Sequence, residues 1–163
     1  MNNKAEIHQF EYYKSSTVTD FTEQEQNLIK DTIKKAKNAY APYSNFKVSS
    51  GILLTDNTIL SATNIENASY PIGTCAERNV LSYCISNYPK SIITAIAVYA
   101  EKSVGKLNQP ITPCGMCRQA LLEAEIRQQS PIKLIMIGND DNYLVVTKCA
   151  HLLPFAFDGS ELY

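Results

Sequence analysis

Cys75-Ala76-Glu77-Arg78 and Pro113-Cys114-Gly115-Met116-Cys117-Arg118 are the stretches around which this chain is organised, with 38 residues between Cys75 and Cys114. Cys114 and Cys117 stand at i and i+3, so on one helical turn both sulfurs face the same way and can grip a single ion. Cys75 supplies a third soft ligand. Three protein ligands leave a tetrahedral zinc ion one open position for water, the pattern of a catalytic rather than a structural site. Glu77, two residues past a ligand, would not share its face in mid-helix, but in a first turn both side chains converge on something beyond the helix end. Its carboxylate then acts on the water without ligating the metal.

Both stretches read as helix starts. Thr74 is the expected N-cap of a helix running through Val80, Leu81 and Cys84, and Pro113 suits the start of one through Ala120, Leu121, Leu122 and Ile126. Two positive helix ends therefore meet one metal, lowering thiolate pKa where three thiolates and Zn²⁺ sum to minus one. Arg78 is expected to hydrogen-bond the ligand sulfurs, which weakens their donation and leaves a better Lewis acid.

A zinc ligand, one residue, Glu, then a distant Pro-Cys-x-x-Cys is the established signature of zinc-dependent deaminases. Beyond it, the chain resembles the homotetrameric cytidine deaminases over roughly residues 22 to 158. Ala39-Tyr40-Ala41-Pro42-Tyr43-Ser44-Asn45-Phe46-Lys47-Val48 is similar to the family's first strand and its lead-in, Asn64-Ile65-Glu66-Asn67-Ala68-Ser69-Tyr70 to its nucleoside-binding segment, and Leu152-Leu153-Pro154-Phe155-Ala156-Phe157 to its C-terminal signature. The resemblance implies one zinc per chain, Glu77 as proton shuttle, and hydrolysis of cytidine and deoxycytidine to uridine and deoxyuridine plus ammonia in pyrimidine salvage. It assigns Phe46 to the pyrimidine pocket, Asn64 and Glu66 to the ribose hydroxyl, and Ala76 to substrate binding. Ala68, Tyr70 and Phe157 would reach the active sites of neighbouring subunits in a homotetramer. One departure stands out: Ser49-Ser50-Gly51 occupies the place where the family usually has Gly-Ala-Ala. We read it as an exchange of small residues inside a strand, with an altered pocket floor as the alternative.

With 163 residues the chain holds one domain with a proper core. Residues 1–21 form an N-terminal extension, and 22–163 the catalytic domain. A formal net charge of −1, without a run of Lys or Arg, argues against a nucleic-acid partner and fits a small nucleoside. Five cysteines, three of them with a metal role, argue against a disulfide framework and for a reducing cytoplasm. No long apolar run in the first 30 residues reads as a signal peptide or membrane span.

The extension carries Ile7, Phe10, Tyr12 and Tyr13, too apolar for a freely solvated tail, so part of it is expected to pack on the body or on a neighbouring subunit. Thr22 with Glu25 forms a capping box, Phe21 is placed to staple onto the first turn, and Leu28, Ile29, Ile33, Ala36 and Tyr40 recur at helical spacing. Residues 46–55 and 58–63 read as a hairpin turned at Asp56-Asn57. Pro89 ends the first metal helix, residues 92–100 and 132–138 are largely apolar strands, and a last strand spans 143–146 before a short helix near His151 to Leu153. The expected fold is three-layer α/β/α with a five-stranded mixed sheet.

Other readings need weighing. A structural zinc module with Cys149 or His151 as fourth ligand would catalyse nothing, and Glu77 with the nucleoside-like loop argues against it. A thioredoxin-like Cys114/Cys117 pair is a weak signal beside Cys75. A polynucleotide substrate is disfavoured by the charge balance, whereas a blasticidin-type cytosine antibiotic stays open as an alternative. Cys84 and Cys149 read as small buried thiols, and His8 as a surface histidine.

Overall fold

The computed structural model describes residues 4–102, 107 and 109–162. Among the described residues six strands form one sheet: β1 (Tyr13–Ser15), β2 (Phe46–Leu54), β3 (Ile59–Thr63), β4 (Ile93–Lys102), β5 (Lys133–Ile137) and β6 (Tyr143–Val146). Their order is β1-β6-β5-β4-β2-β3, with β4 and β5 parallel and every other neighbouring pair antiparallel. Three α-helices cover it: α1 (Glu23–Lys35), α2 (Ala76–Asn87) and α3 (Gly115–Gln128). The mixed three-layer arrangement is the expected one, but the strand count is six rather than five. The extra strand lies in the N-terminal extension, where Tyr13 pairs with Val145 and Ser15 with Tyr143. A three-residue strand held by backbone pairing leaves no apolar alternation to read. It also covers the β6 edge, which would otherwise present unpaired backbone groups.

Period-two alternation along β2 divides the core. Ile52 and Leu54 face α2 and α3 with Val80, Leu81, Leu121 and Leu134, while Leu53 faces α1 with Leu28, Ile29 and Ile135. Each such fully buried aliphatic side chain contributes about 1.5–3 kcal/mol relative to exposure. Ser49 and Ser50 are fully buried and satisfied: Ser49 Oγ donates to Thr32 O at 2.6 Å and Ser50 Oγ to Ala97 O at 2.9 Å. At Gly51 α1 packs directly on the backbone, leaving no room for a Cβ, which would run into the Thr32 and Leu28 side chains.

The capping box at Thr22 forms as expected, with Thr22 N–H donating to Glu25 Oε2 at 3.0 Å and Glu25 N–H to Thr22 Oγ1 at 3.3 Å. Phe21 does not staple onto an apolar partner in the first turn, because Gln26 stands there and donates its Nε2 to Phe21 O. The ring instead packs edge-on against Tyr143 at 5.0 Å. After Lys35 the helix tightens into a 3₁₀ turn over Ala36–Asn38. The hairpin turn falls where expected, with Asn57 at φ 67°. Among the described residues no helix is long and apolar enough to cross a membrane.

Candidate active site

The metal stretches lie at the N-termini of α2 and α3; α2 begins one residue and α3 two residues later than the sequence suggests. Cys75 rather than Thr74 caps α2, and Cys114, one residue past the expected start at Pro113, caps α3, both in extended backbone geometry. An extended N-cap aims its side chain off the helix end, toward the unpaired N–H groups of the first turn. The Cys75, Cys114 and Cys117 sulfurs consequently lie within 4.8 Å of one another, and those of Cys114 and Cys117 are 3.5 Å apart. Zinc–sulfur bonds of about 2.3 Å in a tetrahedron separate sulfurs by about 3.8 Å, so the trio fits zinc with small adjustments.

Electrostatics points the same way. Burial raises the Cys75 and Cys117 thiols, and the nearby Glu77 carboxylate pushes both further up. Cys114 is also raised by burial, but the N–H of Cys117 and the neighbouring thiols outweigh it and bring it below the usual thiol range. Glu77, only 5% exposed, is held above the ordinary carboxylate range by burial. Cys75, Cys117 and Glu77 are thus held toward their neutral forms, and a divalent cation among the sulfurs removes that opposition to ionisation.

A cleft of about 310 Å³ opens onto this group, lined by Glu77, Cys75 and Cys114 together with Ala76, Asn64 and Glu66. An adjoining cavity of about 370 Å³ shares Glu66 and Tyr70 with it and adds Tyr43. Tyr43 and Tyr70 stand edge to face at 6.0 Å. The polar groups of the loop have work of their own. Asn64 Oδ1 accepts from Val48 N–H at 2.8 Å and its Nδ2 donates to Phe46 O at 3.0 Å, which leaves one lone pair and one N–H for anything else. Glu66 Oε2 accepts from Tyr43 N–H at 2.8 Å and Oε1 accepts the Ser44 hydroxyl, and these bonds hold its pKa below the ordinary range.

Not every candidate residue converges here. Among the described residues the cleft lining does not include Phe46, Ala68 or Phe157. Phe46 is half-buried at the start of β2, Ala68 is exposed, and Tyr70 and Phe157 stand out at 75% and 67% exposure. Phe157 therefore does not pack under its own sheet. Arg78, expected on the sulfurs, is half-buried with no hydrogen bond to them. Cys84 and Cys149 are buried away from the trio, as expected of structural thiols.

Three residues that the sequence reading did not single out hold the site's surroundings. Asn79 Nδ2 donates to Thr63 O at 2.9 Å, fixing α2 to the end of β3. Glu125, buried on α3, accepts the N–H groups of Ile132, Cys149 and Ala150 at 2.8, 2.8 and 3.1 Å. Arg118 Nε donates to Pro113 O at 2.9 Å and Nη1 to Leu152 O at 3.1 Å. Arg118 closes the second metal stretch, directly after Cys117, which was the one available signal, but its acceptors are set by tertiary structure.

The model of the cytidine and deoxycytidylate deaminase zinc-binding region matches residues 22–130, a span holding the three clustered cysteines and Glu77. The chain is 34% identical to cytidine deaminase of Halalkalibacterium halodurans over 137 residues, covering 84% of this chain and 96% of that protein. It superposes on the crystal structure of cytidine deaminase from Burkholderia pseudomallei with a TM-score of 0.70 at 35% identity, covering 84% of this chain and all of the other. Blasticidin-S deaminase of Bacillus cereus is more distant, 26% identical over 141 residues. Since the region matched by the family model carries the clustered cysteines and the likeness in fold extends over the same body, this chain belongs to the cytidine deaminase family.

Proposed function

We propose that the protein catalyses the hydrolytic deamination of cytidine and deoxycytidine to uridine and deoxyuridine, releasing ammonia, in pyrimidine salvage in the cytoplasm. The observation that carries this reading is Glu77, a buried residue that lines the cleft of about 310 Å³ beside three clustered thiols. A zinc ion held by Cys75, Cys114 and Cys117 supplies Lewis acidity, which lowers the pKa of water from 15.7 to about 7. Glu77 takes the proton of the attacking water and delivers it to ring N3 as oxygen adds to C4. It then carries the second proton of that water to the departing amine, so one carboxyl serves as base and then as acid. Its burial suits the task, because desolvation raises its pKa above the ordinary carboxylate range and makes it a stronger proton acceptor.

Residues 22–163 form the catalytic unit in this reading, with 1–21 as an extension. Asn64, Glu66 and Ala76 bind the nucleoside, with the remaining lone pair and N–H of Asn64 facing the ribose, and Phe46 contributes to the pyrimidine pocket. The exposure of Ala68, Tyr70 and Phe157 supports their contact with neighbouring subunits of a homotetramer. Arg78 offsets the charge of the sulfurs once metal is bound.

Incubation of the zinc-loaded protein with cytidine, deoxycytidine, cytosine, deoxycytidine monophosphate and blasticidin S, followed by absorbance, tests the reading. Loss of the amine from both nucleosides and not from the free base is expected. Turnover of blasticidin S alone would overturn it in favour of an antibiotic deaminase.

A further inference from the structure

The two residues that follow Cys117 on α3 reach opposite ends of one six-residue segment. Arg118 Nη1 donates to Leu152 O at 3.1 Å, and Gln119 Nε2 donates to Phe157 O at 2.8 Å. Through the same guanidinium, Nε donates to Pro113 O at 2.9 Å, and Nη2 lies 3.5 Å from Thr112 Oγ1. Pro113 precedes the ligand Cys114, and Thr112 lines the cleft. A planar guanidinium presents its donors in a fixed fork, so it holds both acceptors at one set spacing, which the flexible ammonium of a lysine does not. Between the anchored ends, Phe155 sits at φ 55° with its ring fully exposed, a backbone conformation that bulky side chains rarely adopt. A conformation of that kind persists only where the surrounding structure over-determines it.

We propose that Arg118 and Gln119 are positioning residues that tie the turn carrying Cys114 to the C-terminal segment Leu152–Phe157, so that the metal centre and Phe157 are set in one register. Neither residue touches substrate in this assignment. Arg118 transmits order between the metal turn and the segment, and Gln119 fixes the end that bears Phe157. The inference rests on the deaminase reading for its kinetic consequence, while the structural tie stands apart from it.

The test compares zinc-loaded wild type with Arg118→Gln, Arg118→Lys and Gln119→Leu by zinc content, cytidine kinetics and amide hydrogen exchange of peptides covering residues 150–158, with β5 as internal reference. Removing zinc from wild type with a chelator should raise exchange in 150–158 relative to β5. In Arg118→Gln that exchange should already be high with zinc bound and respond little to its removal, and Arg118→Lys should restore the coupling only partly. Gln119→Leu should keep its zinc and kcat while KM rises about tenfold, the factor carried by about 1.4 kcal/mol. Exchange in Arg118→Gln that follows wild type with and without zinc would overturn the tie. So would a Gln119→Leu variant whose KM is unchanged, or whose kcat and zinc content fall along with its Tm. If Arg118→Gln does not fold, Gln119→Leu carries the decision. A wild type that leaves cytidine untouched defeats the deaminase reading alone, and the exchange measurements still decide the tie.

Discussion

The sulfurs of Cys114 and Cys117 stand 3.5 Å apart across the first turn of α3, yet the Cys114 residue is exposed and that of Cys117 wholly buried. The two ligands therefore differ in what their loss does. With Cys75, Cys114 and Cys117 proposed as the whole protein contribution to the metal, Cys114→Ala and Cys117→Ala should both lose zinc. Cys117→Ala should also destabilise the metal-free protein by about 1 kcal/mol, through the small void left under the site. Metal analysis and chemical denaturation of both variants check this; full zinc occupancy in either one would contradict the ligand set.

Glu77→Gln keeps the size of the side chain and cannot accept a proton. Zinc should be retained and kcat should fall at least about 10²-fold, the low end for a positioned acid–base group. Steady-state kinetics with cytidine, paired with metal analysis, decides; near-normal turnover would rule out Glu77 as shuttle.

Phe157 is 67% exposed, and Tyr70 75%. If these rings complete the sites of neighbouring subunits, Glu77→Gln and Phe157→Ala chains, each poorly active alone, should recover some activity when refolded together. Certain interfaces then pair an intact Glu77 with an intact Phe157. Verified mixed oligomers without recovery, or a fully active monomer, would count against shared sites.

Glu125 accepts three backbone N–H groups from the approach to β5 and the turn after β6. Replacing it with Ala leaves buried donors without partners, at about 1–3 kcal/mol each. A loss of at least about 2 kcal/mol in urea unfolding is expected, with a smaller loss for Gln, which keeps one acceptor oxygen. A change under about 0.5 kcal/mol for Ala would show that water replaces the carboxylate.

Glu25 gives a pH signature. Burial raises its pKa, but the Lys133 ammonium at 2.6 Å and the N–H of Thr22 outweigh burial, so in the folded chain it lies below 4.5. A depressed carboxyl pKa contributes stability that is present above the unfolded value and lost as pH falls through the folded one. The Tm advantage of wild type over Glu25→Gln should accordingly be constant near neutrality and shrink below about pH 4.5. An advantage that grows on acidification would reverse the assignment.

Local chemistry made much of this protein legible in its sequence. The spacing of Cys75, Glu77, Cys114 and Cys117 encodes three soft ligands and a carboxyl at two helix starts, because ligand geometry and helical periodicity are short-range properties. The Thr22–Glu25 capping box and the Asp56-Asn57 turn were readable for the same reason. Tertiary structure alone decided the rest. β1 exists only because β6 offers an edge to the N-terminal extension, and the second role of Asn64, bridging Phe46 and Val48, requires β2 alongside. The reach of Arg118 to Leu152 and of Gln119 to Phe157 joins residues 34 and 38 positions apart. Such bonds follow no periodicity in the chain, since their partners meet only after the sheet has brought α3 and the C-terminal segment together.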